Sequence, residues 1–170
     1  MVATVSTLHT PAQEIERLHA LHHQQLEEFR AAPMPDAAVR VGNLRKLKAA
    51  LIQQQDSLVK AVNEDFSCRA EGDTLIAEIM TTVQALNYMI KNVRKWMRPS
   101  GRHVNMLFAP ASNEVVYQPL GVIGIMVPWN YPIQLALVPI ATALAAGNRA
   151  MIKMSELSLI HISEPTRRSY

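Results

Sequence analysis

The chain has 170 residues, which is enough for one compact domain or slightly more. Hydrophobic residues make up 49% and charged residues 18%, so the chain can bury a sizeable core and does not have a disordered composition. The net charge of +3 is too small to indicate a nucleic-acid partner, and the one basic run, from Lys91 to Arg102, contains a single aromatic residue.

Cysteine content and hydropathy give expectations about location. The single cysteine, Cys68, allows no intrachain disulfide and fits a reducing, cytoplasmic compartment. The first twenty residues contain no apolar stretch of the kind found in signal peptides. Residues 115–148 carry no charge, but four prolines divide them. We therefore expect a buried sheet and helix there rather than a membrane span.

The first hundred residues have a helical pattern. Apolar residues three and four positions apart predict a first helix from about residue 13 to the prolines that follow Ala32. Asp36 is a candidate N-cap for a second helix that reaches Leu58. A loop over Phe66–Asp73 precedes a long third helix, whose apolar stripe runs from Ile76 to Met97.

After Met97 the pattern changes to strands. Residues 104–108 and 114–118 are predicted to pair as a hairpin. Residues 122–127 are wholly apolar, which indicates a strand buried on both faces. A helix over 133–146 and a strand over 149–153 complete a βαβ unit, for which a right-handed crossover is expected. The predicted fold class is α/β, a helical layer leading into a βαβ unit.

The turn Pro128-Trp129-Asn130-Tyr131-Pro132 follows the first strand of that unit. Open α/β sheets bind ligands at the carboxyl ends of their strands. The prolines on both sides restrict the backbone near Asn130, so its amide can be held in place to donate a hydrogen bond to a developing oxyanion. Alternatively, Asn130 caps the next helix. The residue types alone do not separate these two hypotheses.

Lys153 and Glu156 follow the second strand of the unit. A cation and a carboxylate at that edge can bind the hydroxyl groups of a ribose. From spacing alone, an ordinary solvated ion pair is the favoured interpretation.

These segments resemble the aldehyde dehydrogenase superfamily, most strongly its coniferyl aldehyde dehydrogenases. The resemblance is carried by Arg102-His103-Val104, by Tyr117-Gln118-Pro119-Leu120-Gly121 and by Lys153-Met154-Ser155-Glu156, where most of the superfamily has proline after the lysine. It implies that residues 13–156 are the N-terminal part of a cofactor-binding domain of unusual Rossmann type. Residues 103–118 would then form two strands of an oligomerisation arm.

The resemblance also implies an activity, the oxidation of a small-molecule aldehyde with NAD or NADP, with NAD favoured, by a cytoplasmic homodimer. Asn130 matches the oxyanion-hole asparagine. The cofactor contacts fall on Val127, Pro128, Trp129, Lys153 and Glu156.

The family's nucleophilic cysteine, glutamate base and glycine-rich cofactor motif all come later in the chain than Glu156, so we expect this truncated chain to be inactive. Cys68 lies outside any cysteine motif of the family and is not a candidate nucleophile. A non-catalytic helical interaction module is the alternative that the helical layer alone suggests. The polar groups at the strand ends distinguish the two alternatives, because an interaction module has no need of Asn130, Lys153 and Glu156 there.

Two further segments carry weaker signals. Residues 157–167 resemble the translated sequence of an adapter used to prepare sequencing libraries, so Leu157–Tyr170 is predicted to be a non-native tail. A natural amphipathic end is the alternative. His19, His22 and His23 have metal-ligand spacing on a helix, but no further ligand completes a set, so no metal site is expected.

Overall fold

The computed structural model describes residues 10–66 and 69–155. Cys68, Glu156 and the predicted tail Leu157–Tyr170 therefore lie outside the described residues. The helices are α1 (Pro11–Ala31), α2 (Ala37–Gln53), α3 (Gln55–Phe66), α4 (Glu71–Thr74), a π-helical turn (Leu75–Met80), α5 (Thr81–Trp96), a short 3₁₀ turn (Met106–Phe108) and α6 (Pro132–Ala145). The strands are β1 (Ser100–Arg102), β2 (Asn113–Val115), β3 (Val122–Met126) and β4 (Arg149–Lys153).

Side chains fix the starts of the first two helices. Thr10 and Gln13 form a reciprocal capping box at the start of α1, in which each side chain accepts from the other residue's backbone N–H. Asp36 caps α2 as predicted, because its carboxylate accepts a hydrogen bond of 2.8 Å from the Val39 N–H. The predicted second helix is wrong in one respect: it breaks at Gln54, so Leu58 belongs to α3.

The predicted loop and third helix also differ from the structure. The connection is shorter than Phe66–Asp73, since α3 includes Phe66 and α4 begins at Glu71. The helix then contains a π-helical turn, which adds a residue and rotates the side chains before it relative to those after it. As a result Ile76, predicted to lie on the core stripe, is 61% exposed, whereas Ile79 is buried.

The main core lies between α2, α3, α5 and α6. Its largest fully buried apolar side chains are Leu44 of α2 and Leu86 and Val93 of α5. The apolar faces of these helices therefore meet one another, as a helical layer requires.

The hairpin exists, but the predicted position of its strands is wrong. β1 pairs antiparallel with β2 through Ser100↔Val115, Gly101↔Glu114 and Arg102↔Asn113. Residues 104–108 instead contain the 3₁₀ turn, in which the Asn105 side chain accepts from the Leu107 N–H. A local side-chain bond of this kind competes with strand pairing.

The predicted βαβ unit is confirmed. β3 and β4 are parallel and in register from Val122↔Arg149 to Met126↔Lys153, with α6 between them in the chain. At the amino ends of the strands, the Asn148 side chain accepts hydrogen bonds from the Leu120 and Gly121 N–H groups, at 2.6 and 2.9 Å. These bonds join the start of β4 to the start of β3.

β3 is covered on one face only within the described residues. Ile125 and Val127 are buried with Ala136 of α6, whereas Met126, which points to the other face, is 83% exposed. The predicted burial of this strand on both faces is therefore not observed. No helix in the described ranges is both long and apolar enough to cross a bilayer.

Candidate active site

The carboxyl ends of β3 and β4 bring two of the predicted segments together. The Val127 N–H donates a hydrogen bond of 2.9 Å to the Lys153 carbonyl oxygen, so the turn after β3 begins beside the exit of β4. Val127 is buried, and Pro128 and Lys153 are exposed at this edge. Glu156, the remaining residue of the predicted set, lies outside the described residues.

Trp129 and Asn130 form the exposed part of the turn. The Trp129 ring is tilted against Phe66, with 6.3 Å between the ring centroids. Asn130 is exposed, and its side-chain amide has no hydrogen-bond partner among residues 10–66 and 69–155. The amide is therefore available to a ligand.

The first turn of α6 is capped by a distant side chain. The N-cap position is Tyr131, which provides no capping hydrogen bond. Instead, Oε2 of Glu78 accepts from the Ile133 N–H at 2.7 Å and from the Gln134 N–H at 3.3 Å. These are the donors that an asparagine cap would satisfy. The structure thus disfavours the hypothesis that Asn130 serves as a helix cap.

Arg69 links Glu78 to the backbone of the turn. Its Nη1 donates a hydrogen bond of 3.0 Å to the Asn130 carbonyl oxygen. The same atom lies 3.3 Å from Glu78 Oε1, which makes an ion pair but not a hydrogen bond, because no N–H points at that oxygen. The guanidinium also lies 4.7 Å from the ring centroids of Phe66 and Tyr131. Arg69 is 12% exposed and Glu78 is fully buried, so little water screens the pair.

A cavity of about 550 Å³ opens beside Asn130. Three aromatic rings and two aliphatic side chains form most of its wall, and Arg69 and Asp73 contribute charge. Its lining residues are Phe66, Arg69, Asp73, Ile76, Ala77, Trp129, Asn130 and Tyr131.

Sequence reasoning missed Glu78 and Arg69. A signal for Glu78 was present, because it is the one charged residue between Asp73 and Lys91 and lies within the apolar stripe of a helix. A carboxylate there must be buried with partners or break the stripe. For Arg69 no comparable signal exists, since a basic residue in a connecting loop is ordinary. The described residues contain no cluster of three or more His, Cys, Asp or Glu side chains that could hold a metal ion.

Comparison with known proteins agrees with this architecture. Residues 3–163 match the model of the aldehyde dehydrogenase family. The chain therefore belongs to the aldehyde dehydrogenase family.

Individual relatives point the same way. Over 92% of its length the chain is 50% identical to the probable coniferyl aldehyde dehydrogenase of Pseudomonas aeruginosa, of which it covers 33%. A substrate-bound structure of Staphylococcus aureus AldH superposes with a TM-score of 0.79 at 26% identity, covering 83% of this chain and 31% of that one. PnpE, a Pseudomonas protein, in complex with nicotinamide adenine dinucleotide superposes with a TM-score of 0.68 at 25% identity, covering 90% and 30%. The chain thus spans about a third of the length of these relatives.

Proposed function

We propose that this chain is the N-terminal part of an NAD(P)-dependent aldehyde dehydrogenase that oxidises an aromatic, coniferyl-type aldehyde to its carboxylic acid. The observation that carries the proposal is the unpartnered Asn130 amide at the carboxyl edge of a parallel sheet, beside a cavity walled by aromatic rings. Family membership favours this enzyme over a helical interaction module.

The proposed chemistry assigns Asn130 to the oxyanion. In the family's reaction a cysteine thiolate attacks the aldehyde carbon, and the C=O electron pair moves onto oxygen. The Asn130 amide would donate a hydrogen bond to that oxygen, a contribution that grows as charge develops. The oxygen's electron pair would then re-form the C=O bond as the hydride leaves the carbon for bound NAD(P)+, and water would hydrolyse the resulting thioester to the acid and the free thiol. The nucleophile and the base would come from outside this chain, so the chain alone is proposed to be inactive.

The cofactor edge has suitable groups for a dinucleotide. The Lys153 side chain is exposed at the exit of β4, next to the turn that starts with Val127 and Pro128, and a lysine ammonium there can bind ribose hydroxyls or a phosphate. We propose that Val127, Pro128, Trp129, Lys153 and Glu156 contact the cofactor. The chemistry that NAD(P)+ supplies when bound is acceptance of the hydride. NAD is the favoured form, and the PnpE complex contains nicotinamide adenine dinucleotide.

Two features bear on the substrate and on assembly. The three rings around the cavity suit a planar aromatic aldehyde better than a short aliphatic one. Exposed Met106, Leu107 and Phe108 lie between β1 and β2, which supports a role for this hairpin in assembly. We propose that the whole protein is a cytoplasmic homodimer and that the hairpin belongs to its arm.

Asn130→Ala in the whole enzyme tests the oxyanion assignment. We expect kcat to fall about 100-fold or more while KM for benzaldehyde changes little, because the donor acts mainly on charge that appears after attack. The measurements are steady-state NADH formation and the melting temperature of the same preparation.

A matched asparagine variant provides the control. Asn92→Ala removes a side chain whose only hydrogen bond among the described residues is to Tyr88 of its own helix, so it should leave kcat near normal. If Asn130→Ala lowered the melting temperature and kept normal turnover, Asn130 would be structural and the oxyanion assignment would be wrong.

A further inference from the structure

The turn that carries Asn130 is held from both ends by one buried ion pair. On one side Arg69 donates to the Asn130 carbonyl oxygen at 3.0 Å. On the other side Glu78 accepts from the N–H groups of Ile133 and Gln134, at 2.7 and 3.3 Å. The segment between these anchors contains only Tyr131 and Pro132, and proline has a fixed φ.

The pair also removes the competing use of the Asn130 side chain. Without Glu78 the N–H groups at the start of α6 would need an acceptor, and a nearby asparagine amide oxygen is a preferred one. Because Glu78 satisfies both donors, the Asn130 amide stays unbonded within the described part of the chain.

The burial of the pair makes the arrangement rigid. Glu78 is fully buried and Arg69 is 12% exposed between the Phe66 and Tyr131 rings, so neither side chain can exchange its partners for water at low cost. Glu78 belongs to the π-helical turn of the helix, Arg69 to the connection before α4, and Asn130 to the sheet edge. The pair thus joins the helical layer to the site.

We propose that Arg69 and Glu78 are positioning residues that hold the Asn130 amide in the geometry for oxyanion binding. They act on the Asn130 amide indirectly, through the Asn130 carbonyl oxygen and the N–H groups at the start of α6. This inference rests on the proposed role of Asn130. A displacement of a catalytic group by about 1 Å can cost about 100-fold in rate, so loss of the anchors should be visible in kcat.

The test compares substitutions in the whole enzyme, with benzaldehyde as substrate. Glu78→Ala should lower kcat at least 10-fold with KM for benzaldehyde changed less than about 3-fold. Glu78→Gln keeps an oxygen acceptor for α6 and should recover most of that loss. In an Asn130→Ala background, Glu78→Ala should lower kcat no further than about 2-fold, because the group it positions is gone.

Two controls separate positioning from stability. Asp36→Ala removes a cap of the same kind from α2, where it accepts from Val39, and should lower the melting temperature without lowering kcat. If Glu78→Ala does not fold, the double variant Arg69→Met/Glu78→Gln removes both charges together. It keeps the acceptor for α6 and deletes the donor to Asn130, so it should show the same loss of kcat.

The outcomes distinguish this inference from the proposed function. Normal turnover in Asn130→Ala would overturn the oxyanion assignment itself. If Asn130→Ala lost most of its kcat but Glu78→Ala kept a normal kcat, the positioning role alone would be overturned. The same holds if the two losses of kcat multiplied when Asn130→Ala and Glu78→Ala were combined.

Discussion

Gly147 is the residue at which backbone conformation and packing most strictly select one amino acid. Its φ is +88°, and an added Cβ would lie 2.6 Å from Arg40 Cζ and 2.9 Å from Pro119 Cγ. Arg40 cannot simply move away, because its buried guanidinium donates to the carbonyl oxygens of Pro35 and Ala145. Desolvation by burial lowers the pKa of Arg40 from its ordinary value. The connection between α6 and β4 therefore has no space for a side chain at position 147.

Gly147→Ala should destabilise the whole enzyme by about 2–4 kcal/mol, the sum of left-handed backbone strain and a close contact with a buried arginine. Gly42→Ala is the matched control. Gly42 lies inside α2 with open space where a Cβ would be, so alanine there should stabilise by about 1 kcal/mol. Melting temperatures of the two variants should move in opposite directions. A melt of Gly147→Ala equal to that of the unsubstituted enzyme would contradict this account.

Among the elements, the π-helical turn Leu75–Met80 matters most for the candidate site. It turns Thr74, Glu78 and Thr82 into the interior and leaves Ile76 on the cavity beside Asn130. An uninterrupted α-helix would carry the Ile76 stripe straight into the core. The extra residue thus places a carboxylate where an aliphatic side chain was predicted.

Two isoleucines three residues apart test that rotation. Ile79→Ala should lower the free energy of unfolding by about 2–5 kcal/mol, because Ile79 is buried in the core. Ile76→Ala should cost less than about 1 kcal/mol, because its side chain is 61% exposed. Thermal melts of the whole enzyme would measure both. Equal losses would mean that the helix is not rotated at this point.

Element types were predictable from the sequence where local patterns were strong. Helix α1 follows from periodicity and the start of α2 from the Asp36 cap, whereas α6 and the parallel strands β3 and β4 follow from the length and composition of their segments. The sequence did not predict the break at Gln54, because glutamine and its neighbours are equally compatible with a continuous helix. It also did not predict the strands at 100–102 and 113–115, because strands this short show no strong periodicity.

On the scale of the whole molecule, the parallel sheet of β3 and β4 is only partly covered within the described residues. Within the described residues it has two parallel strands, and the face opposite α6 exposes Met126. Leu120 and Met154 add exposed apolar surface near the strand ends. Unpaired strand edges next to apolar surface favour association with other chains.

Expressed alone, the 170-residue chain is therefore expected to aggregate or to be partly unfolded, and to form no NADH from aldehyde. Size-exclusion chromatography and a thermal melt would test the first expectation, and an NADH assay the second. A monomeric elution profile with a sharp cooperative melt would contradict the first. Turnover that depends on aldehyde would contradict the second, since the chain contains only Cys68 as a thiol.

The sequence by itself determined the fold class, the family resemblance and the position of Asn130 after an apolar strand. These features are local, since a periodicity, a turn motif or a strand exit is set by neighbouring residues. Only the tertiary structure decided which group caps α6 and what holds the Asn130 backbone. Glu78 lies 55 positions from the Ile133 N–H that it binds, and Arg69 lies 61 from Asn130. Contacts at such separations depend on the packing of the helical layer against the sheet, which no local pattern specifies.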